Sequence, residues 1–331
     1  MNFIRAAVTL NGSMSEGQSI APTNAPPTTT RQDQADGFQP RSNPNGELWE
    51  RQVAAWNRLG APLRPSAEDI AAYETIVETW SRQHGPPRGL VLGATPELAR
   101  LLWPTGSNVL AVDRSREMIQ HIWPGHPSPG QGGLCSDWLN LPLADQSRDL
   151  VLGDGPFTQL SFPDGYQSVA HSIRRVLAAN GRVIIRFFTR PEVAEAPEAV
   201  FADLGNGRIR SFHAFKLRLA MALQERVEQG VQLQTIWNYW ADAVSPSELT
   251  NRLGWRPEVI STMENYRGLA VRYTFPTLDE LRRVLNPYLT ESKCLVPEYE
   301  LGERCPILTF RPAPLPIRPQ RVVTASKLEN Q

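Results

Sequence analysis

A glycine turn and an acid stand twenty residues apart in this chain. Gly93 closes the run Gly89-Leu90-Val91-Leu92-Gly93, with Ala94-Thr95-Pro96-Glu97 behind it, and Asp113 closes Val109-Leu110-Ala111-Val112-Asp113. These residue types suit a ligand that carries a ribose. Glycine lets the backbone approach the ligand closely, and a carboxylate accepts hydrogen bonds from vicinal hydroxyls. To act together they must lie at the carboxyl ends of neighbouring parallel strands, where an open α/β sheet holds its ligand. The apolar runs predict those strands, and Pro96 at a first helical position predicts a helix between them. A nucleotide-like ligand is the expectation.

The same theme recurs downstream. Gly133-Leu134-Cys135-Ser136-Asp137-Trp138 reads as a third strand followed by an acid and a bulky ring. Leu141-Pro142-Leu143-Ala144-Asp145 leads to Ser147-Arg148-Asp149-Leu150-Val151-Leu152-Gly153-Asp154-Gly155, a fourth strand. Arg174-Arg175-Val176-Leu177 closes a helix, and Ala178-Ala179-Asn180-Gly181-Arg182 turns into a fifth strand, Val183 to Phe188. In this order and spacing, over about residues 88 to 188, the chain resembles the class I S-adenosylmethionine-dependent methyltransferases. The resemblance implies an α/β fold, a Rossmann-like, doubly wound, seven-stranded sheet with an antiparallel terminal hairpin. Extra N-terminal helices and a helical insertion are added to it here.

It further implies S-adenosyl-L-methionine as cofactor and direct in-line transfer of its methyl group to a nucleophilic atom of a small-molecule acceptor. Carried over position by position, Gly93, Ala94 and Thr95 stand beside the methionine portion, Asp113 on the ribose, and Arg114 and Met118 beside adenine. Asp137 accepts from the adenine amino group with Trp138 at the ring, and Asp154 with Gly155 contacts the cofactor mainly through backbone. Two departures stand out. Val91 occupies the place of an in-strand acid, and Thr95 and Glu97 fall where later glycines would be. Glu97 has two readings, a receiver for the methionine ammonium or an acid that stabilises a helix N-terminus. Asp154 also has a second, since Asp154-Gly155-Pro156-Phe157 partly matches a run that holds the acceptor nitrogen in some amine methyltransferases.

A sulfonium leaving group is activated by its own charge, so positioning and desolvation carry the catalysis and no His/Asp pair is required. The catalytic candidates are His213 and Asp154. Three alternatives remain: a methyltransferase-like binding or regulatory protein without turnover, a protein methyltransferase, and a nicotinamide-dependent oxidoreductase. The last needs a Gly-x-Gly-x-x-Gly turn that the chain lacks.

Length and composition fit a single enzyme domain with additions, whose partner is a small molecule or a protein. The 331 residues can bury a large core, and 41% are hydrophobic with no long apolar run, so a cytoplasmic protein without a membrane partner is expected. With 34 basic and 34 acidic residues there is no basic excess of the kind nucleic acid requires. Cys135, Cys294 and Cys305 lack metal-ligand spacing, no metal site is expected, and free thiols suit a reducing compartment. No oligomeric state is read from the chain, and either Met1 or Met14 serves as its start.

Five segments are expected. Residues 1–45, rich in Pro, Thr, Ser, Gln and Asn, read as disordered, and 312–331 as a flexible tail. Residues 46–87 read as a helical cap, with Leu48, Trp49, Val53 and Trp56 along a first helix. A second starts at the capping box Ser66-Ala67-Glu68-Asp69 and carries Ile70, Tyr73, Val77 and Trp80. Residues 88–311 form the main domain and contain a helical insertion at 191–244. Its candidates for the acceptor pocket are His213, Trp237 and Tyr239, although Phe212, Phe215 and Leu217 to Met221 equally fit the buried stripe of one helix. Ser245 and Thr277 are further capping-box starts, and two strands, 292–299 and 304–311, close the sheet.

Overall fold

The structure, a computed structural model, describes residues 44–125 and 132–314; the expected disordered segment, apart from Pro44 and Asn45 at the start of the first helix, and most of the expected tail lie outside the described residues. The elements are taken in chain order. Helix α1 (Pro44–Ala55) and α2 (Ala67–His84) precede strand β1 (Arg88–Leu92). Then come α3 (Pro96–Ala99), β2 (Asn108–Asp113), α4 (Arg116–His121), β3 (Gly133–Cys135) and β4 (Arg148–Asp154). Helix α5 (Asp164–Val176) runs directly into β5 (Leu177–Arg186). The inserted stretch holds α6 (Pro197–Gly205), α7 (Phe212–Ala222), β6 (Val231–Gln232) and α8 (Leu233–Ala243). Next are α9 (Pro246–Leu253), α10 (Pro257–Ile260), β7 (Arg272–Tyr273), α11 (Leu278–Leu285), β8 (Leu289–Leu295) and β9 (Ile307–Pro312).

Seven strands form one sheet in the order β3-β2-β1-β4-β5-β9-β8. The first five are parallel, β9 runs antiparallel to β5, and β8 antiparallel to β9. This is the expected doubly wound sheet with its terminal hairpin. Alternation along β1 explains why it is covered on both sides: Leu90 and Leu92 pack with α5 and α11 on one face, and Val91 packs with α2 on the other. Strand order reverses between β1 and β4, so the crevice for a ligand opens beyond Leu92 and Asp154.

Local signals set most of the boundaries. The Ser66 side chain accepts from the Asp69 N–H while the Asp69 carboxylate accepts from the Ser66 N–H, a complete capping box, and α2 ends at Gly85 with φ +85°. Thr277 and Glu280 cap α11 in the same way. Ser245 does not cap α9: its hydroxyl bonds the Ser247 hydroxyl at 2.8 Å instead. Strand β5 starts at Leu177, earlier than Val183, because the β4 to β5 pairing begins at Arg148 and Leu177 and resumes at Leu150 and Arg182. Gly181 is needed in that irregular stretch, since a Cβ there would lie 2.8 Å from the Asp149 carbonyl oxygen. The helix after β1 is shorter than its apolar run suggests and stops at Ala99.

Helix α7 has no polar face. Nine of its side chains are buried, His213 and Lys216 among them, in a core made by α6, α7, α8 and residues 260 to 275. A two-stranded ladder between β6 and β7 ties this layer together; the sequence reading did not foresee it. The three cysteines are free thiols, Cys305 buried and Cys135 exposed. Among the described residues no helix is long and apolar enough to cross a membrane, and no group of three or more His, Cys, Asp or Glu could hold a metal.

Candidate functional site

A cleft opens over the carboxyl ends of β1, β2 and β4. Gly93, Ala94 and Thr95 line it from the turn after β1, and Asp113, Arg114 and Met118 from β2 and the start of α4. Trp138, Asp154 and Gly155 complete the strand-end wall. Asp137 is not in the lining: its Oδ1 accepts from the Leu139 N–H at 3.0 Å and from Arg114 at 3.2 Å, so it caps the turn that carries Trp138.

Two positions in this wall are tightly determined. Gly93 adopts φ +91°, a backbone state that side chains disfavour, and its N–H donates to the Val112 carbonyl at 2.9 Å. Asp113 is buried, and its Oδ2 and Oδ1 accept from the N–H groups of Ala94 at 2.9 Å and Ser115 at 2.8 Å. Burial lifts its carboxyl above the ordinary value against the pull of those two donors and of Arg114. A carboxylate oxygen can accept more than one hydrogen bond, so these two donors do not exhaust it. The Trp138 indole N–H donates to the Val112 carbonyl at 2.6 Å, which holds the ring beside Gly93 and Asp113.

Asp154 belongs to a buried network that sequence reasoning missed. Arg186 at the end of β5 is fully buried, and its Nε donates to Asp154 Oδ1 at 2.5 Å. Its Nη1 donates to the Tyr299 hydroxyl at 2.8 Å and lies 3.5 Å from Asp69 Oδ2. The Tyr73 hydroxyl accepts from the Arg186 N–H at 3.0 Å and donates to the Gly153 carbonyl at 2.7 Å. Helix α2 is thereby bolted to the strand ends that form the cleft. A charged residue closing the apolar run Val183-Ile184-Ile185 was the available signal.

The opposite wall comes from the cap and from residues after the fifth strand. Trp49, Gln52, Trp56 and Arg64 line it from α1 and the segment after it, and Phe188, Tyr266, Tyr273 and Phe275 line it from the other side. Arg64 stacks over Trp56 at 4.9 Å and bonds Glu97 Oε1, with 2.9 Å from its Nε. Glu97 Oε2 is buried with no hydrogen-bond partner. Glu97 stands in the first turn of α3, outside the cleft lining, and is tied to the cleft through Arg64.

The insertion reaches the cleft through Leu217 and Ala220 of α7. His213, Trp237 and Tyr239 lie outside the lining. Trp237 bonds Glu264 at 3.2 Å and stacks with Arg267, while the Tyr239 hydroxyl donates to Glu198 at 2.6 Å. His213 Nε2 donates to the Arg58 carbonyl at 2.9 Å, and burial followed by the charge of Lys216 pushes its pKa down to about 4. Its other nitrogen is buried and without a hydrogen-bond partner. Tyr266, Tyr273 and Phe275 were not foreseen; the alternation in Val271-Arg272-Tyr273-Thr274-Phe275 was the signal for a short strand there.

Lys216 is buried without a carboxylate. Its Nζ donates to the Thr262 carbonyl at 2.7 Å and sits 3.9 Å above the Tyr266 ring, and burial pushes its pKa down to about 7.

Comparison with known proteins agrees with this geometry. A family profile described as "Methyltransferase domain" matches residues 90–185. No curated protein sequence matches the chain. Among solved structures, a putative Zn-dependent alcohol dehydrogenase from Rhodobacter sphaeroides aligns with a TM-score of 0.55 at 14% identity, covering 82% of this chain and 100% of that one. At that identity the likeness is one of fold. A 1,6-didemethyltoxoflavin-N1-methyltransferase from Burkholderia thailandensis, solved with S-adenosylhomocysteine, aligns at 0.47 and 14% identity over 82% of this chain and 88% of that one. The CcbJ methyltransferase from Streptomyces caelestis aligns at 0.49 and 12% identity over 81% and 98%.

Two stability predictions follow from the buried charges. Arg186→Met leaves Asp69 and Asp154 buried without their cation, and should lower stability by about 3–5 kcal/mol, read from urea midpoints at unchanged slope. For Lys216, the unfolded chain retains a proton up to about pH 10.5 that the folded chain releases near pH 7. Stability therefore rises with pH between those values, and the burial penalty is complete below them. Lys216→Met removes this dependence. Its stability gain over the parent should shrink by on the order of 2 kcal/mol between about pH 6.5 and 9, measured by urea denaturation at both; a gain that does not change with pH refutes the assignment.

Proposed function

We propose, from the premise that residues 90–185 of this chain are a class I, S-adenosylmethionine-dependent methyltransferase domain, that the protein transfers the methyl group of S-adenosyl-L-methionine to a nucleophilic atom of a small molecule by in-line displacement. The observation that carries this reading is Asp113. Its carboxylate is held by backbone donors at the end of β2, next to the strand switch point, and a carboxylate so held has lone pairs left for vicinal ribose hydroxyls.

The remaining residues fit the same ligand. Arg64, which lines the cleft, holds Glu97, whose unpartnered Oε2 suits an ammonium and would substitute for the acid missing at Val91. Trp138 and Met118 offer apolar faces for a flat ring, and the positive φ of Gly93 brings backbone close to the ligand. When bound, S-adenosyl-L-methionine supplies a methyl group already activated by the sulfonium charge. The chain contributes orientation and exclusion of water, with α1 and residues 266 to 275 covering the strand ends. On this reading residues 46–87 act as a cap on a domain spanning 88–311, and the insertion at 191–244 backs the acceptor side.

Calorimetry with S-adenosylhomocysteine tests the proposal. The parent protein should bind it, and Asp113→Ala should weaken binding at least about tenfold, because hydrogen bonds to a charged group are lost. Asp113→Asn keeps an acceptor for the turn and guards against a folding defect; it should also bind more weakly, with an unchanged circular dichroism spectrum. Absence of binding by the parent, or equal binding by both variants, overturns the assignment.

A further inference from the structure

The wall facing the strand ends is built from the rings of Trp56, Phe188, Tyr266, Tyr273 and Phe275. Ring faces ordinarily attract a cation. Three of these rings already carry one. The Arg64 guanidinium lies 4.9 Å from the centre of Trp56, the Arg186 guanidinium 5.2 Å from that of Phe188, and the Lys216 ammonium 3.9 Å from that of Tyr266. Arg64 is matched by Glu97, and Arg186 by Asp154 and Asp69. Lys216 has the Thr262 carbonyl, at 2.7 Å, in place of a carboxylate.

Lys216 is buried and does not line the cleft, whereas Tyr266 does, so the ring stands between the ammonium and the space for a ligand. Tyr266 is edge-on to Tyr273 at 5.8 Å, and Tyr273 to Phe275 at 6.2 Å, so the ring that Lys216 backs belongs to a continuous surface. Nothing around it cancels the charge. His213, one turn earlier, is neutral at pH 7 because its pKa is pushed down to about 4, and burial keeps the Tyr266 and Tyr273 phenols protonated. The carboxylates of neighbouring segments are taken elsewhere, Glu195 and Asp203 by Arg218, and Glu264 by Arg267 and Trp237.

We propose, resting on the cofactor reading above, that the methyl acceptor turns an apolar group without positive charge toward this wall, and that Lys216, acting through Tyr266, is the specificity residue that turns cationic acceptors away. A cation on the cleft side of Tyr266 would face the ammonium across one ring, away from water, where like charges repel far more than in solvent. The site must then hold both charges or expel the lysine proton, and either course costs affinity. An acceptor amine enters unprotonated or not at all.

Two probes of one shape and different charge, tert-butylbenzene and phenyltrimethylammonium, test this on the protein loaded with S-adenosylhomocysteine. Their affinities are read by ligand-observed NMR at about pH 6 and 9, either side of the Lys216 transition. Neither probe titrates there, so a change in their affinity ratio reports on the protein. In the parent the ammonium probe should gain about tenfold on its neutral isostere from the lower pH to the higher, because the folded chain releases the Lys216 proton near pH 7. Lys216→Met should show the parent's high-pH ratio at both, within about twofold. Lys216→Arg, whose charge does not titrate, should show the low-pH ratio at both; should it not fold, the parent and Lys216→Met decide alone. The proposal is overturned by a parent ratio that does not change with pH, by a change that persists in Lys216→Met, by Lys216→Arg matching Lys216→Met, or by neither probe binding. S-adenosylhomocysteine that binds while this pattern is absent sinks this inference alone; S-adenosylhomocysteine that fails to bind sinks the cofactor reading with it.

Discussion

The guanidinium of Arg186 is the constraint on which the cleft depends. It is fully buried at the end of β5 and meets carboxylates from two other elements, Asp154 of β4 and Asp69 of α2. Burying a charge of this kind is costly unless its geometry is met on several sides, and here Tyr299 and the Tyr73 hydroxyl, held by the backbone of β4 and β5, supply the remaining order. Asp69 also closes the capping box of α2. One carboxylate thus fixes both where that helix begins and how it docks on the sheet, so the start of the helix and the floor of the cleft are one structural decision.

A consequence is that the carboxylates lining or bordering the cleft are held in place. Asp154 faces Arg186, Glu97 faces Arg64, and Asp113 is held between two backbone donors. Such pairs are effective at holding walls in position and poor at moving protons, because each partner stabilises the charged state of the other. A cleft built this way suits chemistry in which the leaving group is activated in advance and the protein supplies alignment. The opposite wall repeats the principle with apolar means: rings from α1, β7 and residues 266 and 275 line it.

The layer behind that wall carries its own tension. Lys216 is enclosed by α7, residues 262 to 266 and an aromatic face, with a carbonyl in place of a counter-ion. His213, one turn earlier on the same helix, is kept neutral by burial and by that neighbouring charge. Both residues look exposed in a helical plot of the sequence, since α7 would ordinarily turn its polar positions to water. They are buried because the segment from Ile260 to Phe275 folds over them.

What the sequence determined by itself was the frame: apolar runs of strand length, caps at Ser66 and Thr277, the Gly93 turn, and acids after the second and fourth strands. These are local facts, written in neighbouring residues, and they were enough to order the sheet and bring Gly93, Ala94, Thr95, Asp113 and Trp138 to one cleft. Tertiary structure alone decided the rest. Asp69 lies 117 residues before Arg186, and Gln52 lies 213 before Asn265, so no spacing rule could join either pair. The same holds for the exclusion of Trp237 and Tyr239 from the cleft in favour of Tyr266, Tyr273 and Phe275: α8 is amphipathic in either orientation, and only its packing against residues 260 to 275 chose which rings would face the ligand.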